Sequence, residues 1–431
     1  MPVRLDMRDA EFEREFTALL AMKREVSEDV DNAARTIIED VIARGDAALV
    51  DLSRKFDRVD LGALGLRISR QEIDAAVAAS DKAAVDALHF AHRRILSFHQ
   101  RQRPSDVHFN DEEGVELGWR WSAVEAVGLY VPGGTASYPS SVLMNAVPAK
   151  VAGVPRIVMV VPTPDGVVNP LVLAAADIAG VDEIYRVGGA QAVAALAYGT
   201  QTIAPVAKIV GPGNAFVAAA KRRVFGKVGI DMIAGPSEVL VLADRTANPD
   251  WIAADLLAQA EHDVAAQSLL ITDDAGLADA VIAAVERQLT TLPRRDIAGA
   301  SWRDFGAVIL CDKLANAIRI ADRLAPEHLE IMAADADALA AKVRNAGAIF
   351  IGGHTPEAIG DYVGGSNHVL PTARSARFSS GLGVLDFMKR TSLLRCSAES
   401  LRVLGPPAIA LGKAEGLDAH ARSVAIRLNL G

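Results

Sequence analysis

The sequence has few cysteines, few aromatic residues and no excess of basic charge, and each shortage excludes a class of protein. Cys311 and Cys396 are the two cysteines in 431 residues, and neither lies in a CxxC motif. A disulfide framework and a cysteine zinc site are therefore excluded. Basic residues number 45 against 54 acidic ones and aromatic residues make up 5%, so we expect neither nucleic acid nor an anionic membrane as a partner.

Long apolar runs are also missing. The chain has no apolar run of about 18 residues, and its N-terminus carries charges where a signal peptide needs an apolar core. We therefore expect no membrane span and a cytoplasmic location, which the low cysteine content fits. The composition is globular, with 51% hydrophobic and 23% charged residues, and the chain is long enough for two hydrophobic cores.

From Val127 onward, short β-branched runs alternate with alanine-rich helical segments, which predicts parallel sheets covered by helices on both faces. The predicted strands are residues 127–131, 157–161, 184–187, 208–210, 239–242, 269–272, 308–310 and 348–351. The first hundred residues read as helical, and after Gly381 the strands are expected to cease. The remaining tail of about 50 residues is too small to fold alone, so it must pack on its own core or on a partner subunit.

Four glycine-rich turns are predicted at strand ends: Pro132-Gly133-Gly134, Gly188-Gly189, Gly211-Pro212-Gly213-Asn214 and Gly364-Gly365. Ligands of open α/β sheets bind outside the carboxyl ends of strands, where such turns lie. The third turn opens a helix, so its amides can face a phosphate. Phe216 stands where the dinucleotide fingerprint has its third glycine, so a tight turn without a ligand remains the alternative.

Side chains suited to zinc binding or proton transfer are scattered over the second half of the chain. Gln259 and His262 share one helix face, and an acid stands beside a possible base at Glu327-His328, just past a helix end. Further candidates are Asp361, Glu415 and His420. Imidazole and carboxylate suit zinc, but no HExxH-type spacing joins these residues. From spacing alone, satisfied structural histidines remain the alternative.

Six blocks, in this order along the chain, resemble the histidinol dehydrogenase family. They are LYVPGG at 129–134, VGGAQA at 187–192, GPGNAF at 211–216, IDMIAGPSE at 230–238 running through to AEH at 260–262, APEHL at 325–329 and NHVLP at 367–371. The long central block is very specific, whereas the glycine turns alone are not.

The resemblance implies a zinc- and NAD-dependent enzyme that oxidises L-histidinol through L-histidinaldehyde to L-histidine, using two NAD in succession. It implies one zinc ion per subunit, held by Gln259, His262, Asp361 and His420, and proton transfer by Glu327 and His328. Substrate contacts are implied at Ser237, Gln259, His262, His328, Asp361, Glu415 and His420, and NAD contacts at Tyr130, Gln191 and Asn214. It further implies a homodimer whose tails complete each other's zinc sites.

The predicted fold class is α/β, with two parallel-sheet, incomplete Rossmann-like domains, a helical N-terminal segment and a helical C-terminal tail. We place the N-terminal segment at residues 1–25. The main domain with the zinc and proton-transfer residues takes 26–129 plus 237–381, the NAD-binding domain 130–236 and the dimerisation tail 382–431.

Two other functions remain open. One is a related dehydrogenase that acts on another small amino- or sulfo-alcohol, against which Ser237 and Glu415 weigh. The other is a zinc hydrolase or a non-catalytic binding protein that uses no NAD, against which Tyr130, Gln191 and Asn214 weigh.

Overall fold

The computed structural model describes residues 2–22, 28–133, 138–233 and 235–430. Gly134, Ala234 and the predicted domain boundary between residues 25 and 26 lie outside these ranges. The first part of the chain contains β1 (Val3–Asp6), α1 (Phe12–Leu20), α2 (Glu28–Arg44), α3 (Asp46–Phe56), α4 (Leu61–Leu64), α5 (Arg70–Ala79), α6 (Lys82–Gln100), β2 (Val107–Asn110) and β3 (Glu116–Ala123).

Alternating strands and helices follow, as the sequence predicts. The first alternating region contains β4 (Val127–Tyr130), α7 (Pro139–Ala152), β5 (Ile157–Val160), α8 (Pro170–Ala179), β6 (Glu183–Tyr185), α9 (Gly189–Tyr198), β7 (Lys208–Val210), α10 (Ala215–Val224) and β8 (Gly229–Ile230). The second contains β9 (Glu238–Ala243), α11 (Pro249–Ala260), β10 (Gln267–Thr272), α12 (Ala275–Leu289), α13 (Arg295–Phe305), β11 (Ala307–Leu310), α14 (Leu314–Leu324), β12 (His328–Met332), α15 (Ala336–Ala340), β13 (Ala348–Ile351) and α16 (Glu357–Tyr362). The tail contains β14 (Met388–Arg395), α17 (Ala398–Ala414) and α18 (Asp418–Ala425).

Two parallel sheets form the body of the protein, which confirms the predicted fold class. The first sheet has the strand order β6-β5-β4-β7-β8, and the second has the order β1-β11-β10-β9-β12-β13. If β1 is set aside, the five strands of each sheet, numbered along the chain, lie in the same order: third, second, first, fourth, fifth. Both sheets are therefore Rossmann-like halves, and in each the strand order reverses beside the first strand.

Apolar helices cover both faces of each sheet. Helices α7 and α8 pack on one face of the five-stranded sheet, and α9 and α10 pack on the other. Helices α11, α12 and α13 cover one face of the six-stranded sheet, and α1, α14 and α15 cover the other. Strands buried on both faces must be apolar throughout, which is why β9 reads as a continuous apolar run after Glu238.

The helices between residues 28 and 100 pack on the five-stranded sheet. Helix α2 lies against α9 and α10, and α5 and α6 lie against α7 and α8. The buried Arg186, at the end of β6, donates to the Arg67 carbonyl at 2.9 Å and pairs with Glu72 on α5. The predicted domain division instead groups residues 26–129 with 237–381, and its boundaries stay a prediction.

The structure differs from the sequence-based expectations at both ends of the chain. Strand β1 pairs in parallel with β11, so the N-terminal segment begins as the outer strand of the six-stranded sheet. Strand β14 pairs antiparallel with β3, with Met388 opposite Ala123, so the expectation that strands cease after Gly381 is wrong. Strand β14 is mostly exposed and carries three basic residues. Its sequence therefore lacks the alternation of apolar and polar residues by which a strand is predicted.

The tail is helical beyond this strand, as expected. Helices α17 and α18 pack chiefly on each other, and large apolar side chains on them face solvent, including Leu411 and Val403. Across the described ranges, no helix combines the length and the apolar character needed to cross a bilayer.

Candidate active site

A buried histidine stands at the amino end of the six-stranded sheet, where its strands begin. His328 is the first residue of β12 and lies beside β9, which begins at Glu238. The His328 Nδ1 atom is 3.0 Å from the Glu238 carbonyl oxygen. Because a carbonyl only accepts hydrogen bonds, Nδ1 carries a proton. The opposite ring atom, Nε2, is buried and has no hydrogen-bond partner within the described part of the chain.

Three carboxyl groups surround this imidazole. Glu327 Oε2 and Glu357 Oε2 lie 3.8 and 3.6 Å from Nδ1, and Asp361 Oδ1 lies 3.7 Å from Nε2. Glu357 and Asp361 are one turn apart on the short helix α16, so this helix supplies an acid to each side of the ring. Glu327 is held by the Glu238 backbone N–H, which donates to Oε2 at 3.0 Å.

Burial shifts the protonation of the two glutamates toward neutral pH. Burial raises the pKa of Glu327 to about 7 and that of Glu357 to about 8. Burial alone lowers the pKa of His328, but the charges of Glu327 and Glu357 outweigh it and raise that pKa well above its usual value. Groups that exchange protons near the working pH suit general acid–base catalysis.

Sequence reasoning predicted Glu327 and His328 but missed their buried neighbours. Glu357, Glu330 and Asp255 are acids of the same interior, and nothing in their spacing separates them from the other acidic residues. His328 was expected just past a helix end, which is correct, but it also begins a buried strand. The polar residues in His-Leu-Glu predict a strand with one face exposed to solvent, but all five residues of β12 are buried.

The predicted metal ligands lie in two places. Gln259 is the second-last residue of α11 and is fully buried. Neither its Oε1 nor its Nε2 has a hydrogen-bond partner among the described residues. His262, three residues further on, is exposed in the single chain, and its imidazole interacts electrostatically with Asp361 and His328. His420 lies on the exposed tail helix α18.

The oxygen and nitrogen donors of this set fit zinc. A buried amide without a hydrogen-bond partner costs free energy unless another ligand occupies it, so Gln259 favours a bound group at this point. Within the ranges described, no three His, Cys, Asp or Glu side chains form a metal-binding group. The predicted set would not form such a group within one chain, because Gln259 is an amide and is not among those four residue types, and because His420 lies on the exposed tail.

The remaining predicted substrate residues are divided in the same way. Ser237 directly precedes β9 and Glu238, at the amino end of the sheet, and its carbonyl accepts from the Gln267 N–H at 3.0 Å. Glu415 and His420 are both exposed on the tail.

The three predicted NAD residues lie at the carboxyl end of the five-stranded sheet. Tyr130 ends β4 and is buried, and its Oη accepts from the Gly189 N–H at 3.0 Å. Gln191 is buried in the first turn of α9. Asn214 caps α10, because its Oδ1 accepts from the Phe216 and Val217 N–H groups at 3.1 and 3.2 Å. Strands β4 and β7 are neighbours at the point where the strand order reverses, which is where such sheets bind ligands.

Close packing at this end of the sheet explains two of its glycines. Gly211 has φ +111°, and a Cβ atom there would lie 2.2 Å from the Tyr130 carbonyl oxygen. A Cβ atom on Gly188 would lie 2.4 Å from Pro162 Cβ. The fourth predicted turn, Gly364-Gly365, is different, because it follows helix α16 and not a strand.

A buried ion pair fixes the third glycine-rich turn. Lys221, on α10, donates to the Gly211 carbonyl at 2.9 Å and pairs with Asp231, which follows β8. Asp231 Oδ2 accepts from the Gly211 N–H at 2.7 Å. Both charged side chains are almost completely buried, so the pair holds the turn from the protein interior.

His368 connects helix α16 of the acid cluster to the start of helix α7. Its Nδ1 lies 3.0 Å from the Asp361 carbonyl oxygen, and its Nε2 lies 3.2 Å from Ser141 Oγ at the start of α7. Helix α7 follows β4, so this imidazole bridges the acid cluster and the end of the five-stranded sheet where Tyr130 lies. Sequence reasoning placed His368 in a family block but gave it no role.

Comparisons with known proteins agree over the whole chain. The family model described as histidinol dehydrogenase matches residues 20–428. The chain is 71% identical to the histidinol dehydrogenase of Rhodopseudomonas palustris over 429 residues, and 71% identical to that of Bradyrhizobium diazoefficiens over 430, in both cases covering 100% of each protein. It is also similar to the crystal structure of the enzyme of that name from Elizabethkingia anophelis, with a TM-score of 0.94 and 36% identity over 99% of this chain and 98% of the other.

Proposed function

The chain belongs to the histidinol dehydrogenase family, and we propose that it oxidises L-histidinol through L-histidinaldehyde to L-histidine with zinc and NAD. Family membership supports an oxidoreductase of histidine biosynthesis. The finer assignment of cofactors, residues and assembly is our proposal. The observation that carries it is the buried His328, set among Glu327, Glu357 and Asp361, with no hydrogen-bond partner for Nε2 among the described residues.

In the first oxidation, the neutral form of His328, with its proton on Nδ1 and none on Nε2, takes the hydroxyl proton of histidinol as the hydride leaves the carbinol carbon. The Glu238 carbonyl holds Nδ1–H, so Nε2 is the atom aimed at the substrate. Tyr130, Gln191 and Asn214 would hold NAD, which would accept the hydride in both oxidations.

In the second oxidation, the aldehyde must first gain water. Glu327 lies next to His328 along the chain, and a carboxyl with pKa about 7 can take a proton from water at neutral pH. We therefore assign Glu327 to water activation and His328 to the alcohol step.

Zinc held by Gln259, His262, Asp361 and a tail histidine would supply a Lewis-acidic template that orients histidinol. Ser237 and Glu415 complete the substrate contacts in this proposal. The two polar atoms of the Gln259 amide have no partner among the described residues, which supports the metal assignment from the chain itself.

The tail supports a homodimer. It carries Glu415 and His420, yet α17 and α18 pack chiefly on each other and expose Leu411 at 64% and Val403 at 51%. Apolar surface of this kind is typical of an interface with another subunit. We propose that the tails of two chains cross over and complete each other's zinc sites. Cytoplasmic location stays a prediction from the cysteine content.

The first test is NADH formation from histidinol and NAD before and after exhaustive chelation. We expect chelation to abolish turnover and zinc to restore it, while circular dichroism stays unchanged, because the hydrophobic cores do not involve the metal site. Loss of the helical signal on chelation would show that the metal is structural. No NADH from the untreated protein with histidinol would refute the proposed reaction.

Subunit mixing tests the dimer. Inactive His420→Ala and His328→Ala chains should regain activity when they exchange, because one site of the heterodimer then carries both lesions and the other carries neither. Exchange is verified by native mass spectrometry. If no activity returns after verified exchange, His420 serves its own chain.

A further inference from the structure

Glu330 lies behind His328 on the same face of strand β12. Side chains alternate along a strand, and Leu329 and Ile331 point into the apolar cluster formed with α14. Glu330 therefore shares the face of His328, and Met332 on this face packs with α11. A carboxyl group that is 1% exposed requires partners, and Glu330 finds them on two other elements of the site.

The first partner is helix α16. The Glu357 backbone N–H donates to Glu330 Oε1 at 2.6 Å. This helix has Pro356 at its N-cap, which provides no capping side chain, so the acceptor for its first N–H comes from β12. The same helix places Glu357 and Asp361 on the two sides of the His328 ring. The contact thus joins the acids of α16 to the strand that begins with His328.

The second partner is helix α11. The Asp255 carboxyl on this helix acts on the protonation of Glu330, and Gln259 lies one turn further along the helix. Burial, together with the nearby charge of Asp255, raises the pKa of Glu330 well above its usual value, so Glu330 keeps a proton to donate. Two neighbouring carboxyl groups of this kind disfavour each other's ionisation, so one of them keeps its proton.

We propose that Glu330 is a positioning residue that joins β12 to α16 and α11, and so holds Asp361 and Gln259 in place against His328. The inference rests on the proposed function, because it concerns the alignment of the same site. Glu330 itself touches neither substrate nor metal in this proposal.

Three substitutions test it. Glu330→Gln keeps an oxygen that can accept from the Glu357 N–H and an amide that can donate to Asp255, so it should behave like the parent. Glu330→Leu has similar size but no polar atom, and Glu330→Asp withdraws the carboxyl by one carbon. Ile331→Val, on the opposite face of the same strand, is the control for a general loss of packing.

Zinc affinity is measured by competition with a chelator, kcat and KM by NADH formation, and protection of residues 357–362 by hydrogen–deuterium exchange. We expect Glu330→Leu and Glu330→Asp to bind zinc about 10–100-fold more weakly, with lower kcat and faster exchange in this helix. Glu330→Gln and Ile331→Val should stay within a few-fold of the parent. If Glu330→Leu does not fold, the comparison of Gln with Asp decides.

The inference would be overturned if folded Glu330→Leu or Glu330→Asp kept the zinc affinity, kcat and exchange of the parent. It would also be overturned if Glu330→Gln were as impaired as Glu330→Asp. An inactive parent protein would instead refute the proposed function. In that case, exchange in residues 357–362 still decides whether Glu330 holds α16: equal protection in the parent and in Glu330→Asp would show that it does not.

Discussion

The two parallel sheets have the same strand order but carry their candidate residues at opposite ends. In the five-stranded sheet, Tyr130 and Asn214 lie at the carboxyl ends of strands β4 and β7. In the six-stranded sheet, Glu238 and His328 begin strands β9 and β12. One topology therefore supplies two different kinds of site, according to which end of the sheet is used.

The difference follows from the helices. In a parallel sheet, helix N-termini meet the carboxyl ends of strands, and helix C-termini meet the amino ends. The N-terminus of a helix carries partial positive charge and its C-terminus partial negative charge. The N-termini of α9 and α10 suit the phosphates of a dinucleotide. The C-termini of α11 and α14, near Gln259 and Glu327, suit a cation and protonated side chains. We expect substitutions at the amino end to change the chemical step and those at the carboxyl end to change cofactor binding.

The largest expected effect separates the roles of His328 and Glu327. His328→Asn keeps a donor for the Glu238 carbonyl but removes the base, so NADH formation from histidinol should fall by about 10²–10⁴-fold. Glu327→Gln keeps an acceptor for the Glu238 N–H, and it should slow oxidation of histidinaldehyde much more than oxidation of histidinol. Single-turnover rates with each substrate supplied separately measure both effects. A Glu327→Gln variant equally slow on both would leave Glu327 catalytic but refute the division of roles.

The next effect concerns the buried ion pair of the five-stranded sheet. Lys221→Met leaves Asp231 buried without its partner, so the free energy of unfolding should fall by about 3–5 kcal/mol. The Gly211 turn should also loosen and raise KM for NAD, since Lys221 donates to the Gly211 carbonyl. Chemical denaturation and initial rates measure these changes. Arg58→Met, which breaks an exposed pair with Asp165, is the control and should change stability far less. If Lys221→Met changed kcat but not KM for NAD, the expectation that this sheet end affects cofactor binding would be wrong.

The smallest effect tests a single methyl group at the start of α9. Gly189 has φ +66° and Gly180 has φ +70°, so alanine at either position should cost about 1–2 kcal/mol in backbone strain. A Cβ atom on Gly189 would lie 2.6 Å from Gln191 Oε1, whereas on Gly180 it would meet only the flexible Lys150 side chain at 3.4 Å. We expect Gly189→Ala alone to raise KM for NAD several-fold. Equal KM values in the two variants would argue against a role for Gln191 in NAD binding.

Four strands of the five-stranded sheet, β4 to β7, could be predicted because they contain β-branched residues and glycine-rich turns mark their ends, whereas the two-residue strand β8 was missed. The Asn169-Pro170 and Asn248-Pro249 pairs are further signals of this kind, because both asparagines cap the helices that start there. These signals are local in the sequence. The general rule for open sheets likewise points to the carboxyl ends of strands, and this is where Tyr130, Gln191 and Asn214 lie.

The acid cluster could not be predicted from the residues alone. Glu330, Glu357 and Asp255 become distinctive only when β12, α16 and α11 meet, and their altered pKa values arise from burial that the sequence does not record. Strand β12 was missed because its polar positions face a second polar layer and not solvent. For Glu327 and His328, the family resemblance supplied the roles that spacing left open.

Strand β1 has a consequence for the order in which the protein folds. It precedes every other strand of its sheet along the chain, yet it pairs with β11, so that Val3 lies opposite Ala307. A segment that waits for a partner so far along the chain must stay unpaired through most of synthesis, and contacts of this length slow folding. Strand β9, by contrast, pairs with β10 after a single intervening helix. Strands β9, β10 and β11 can therefore pair with one another before β1 joins them at the outer edge of the sheet.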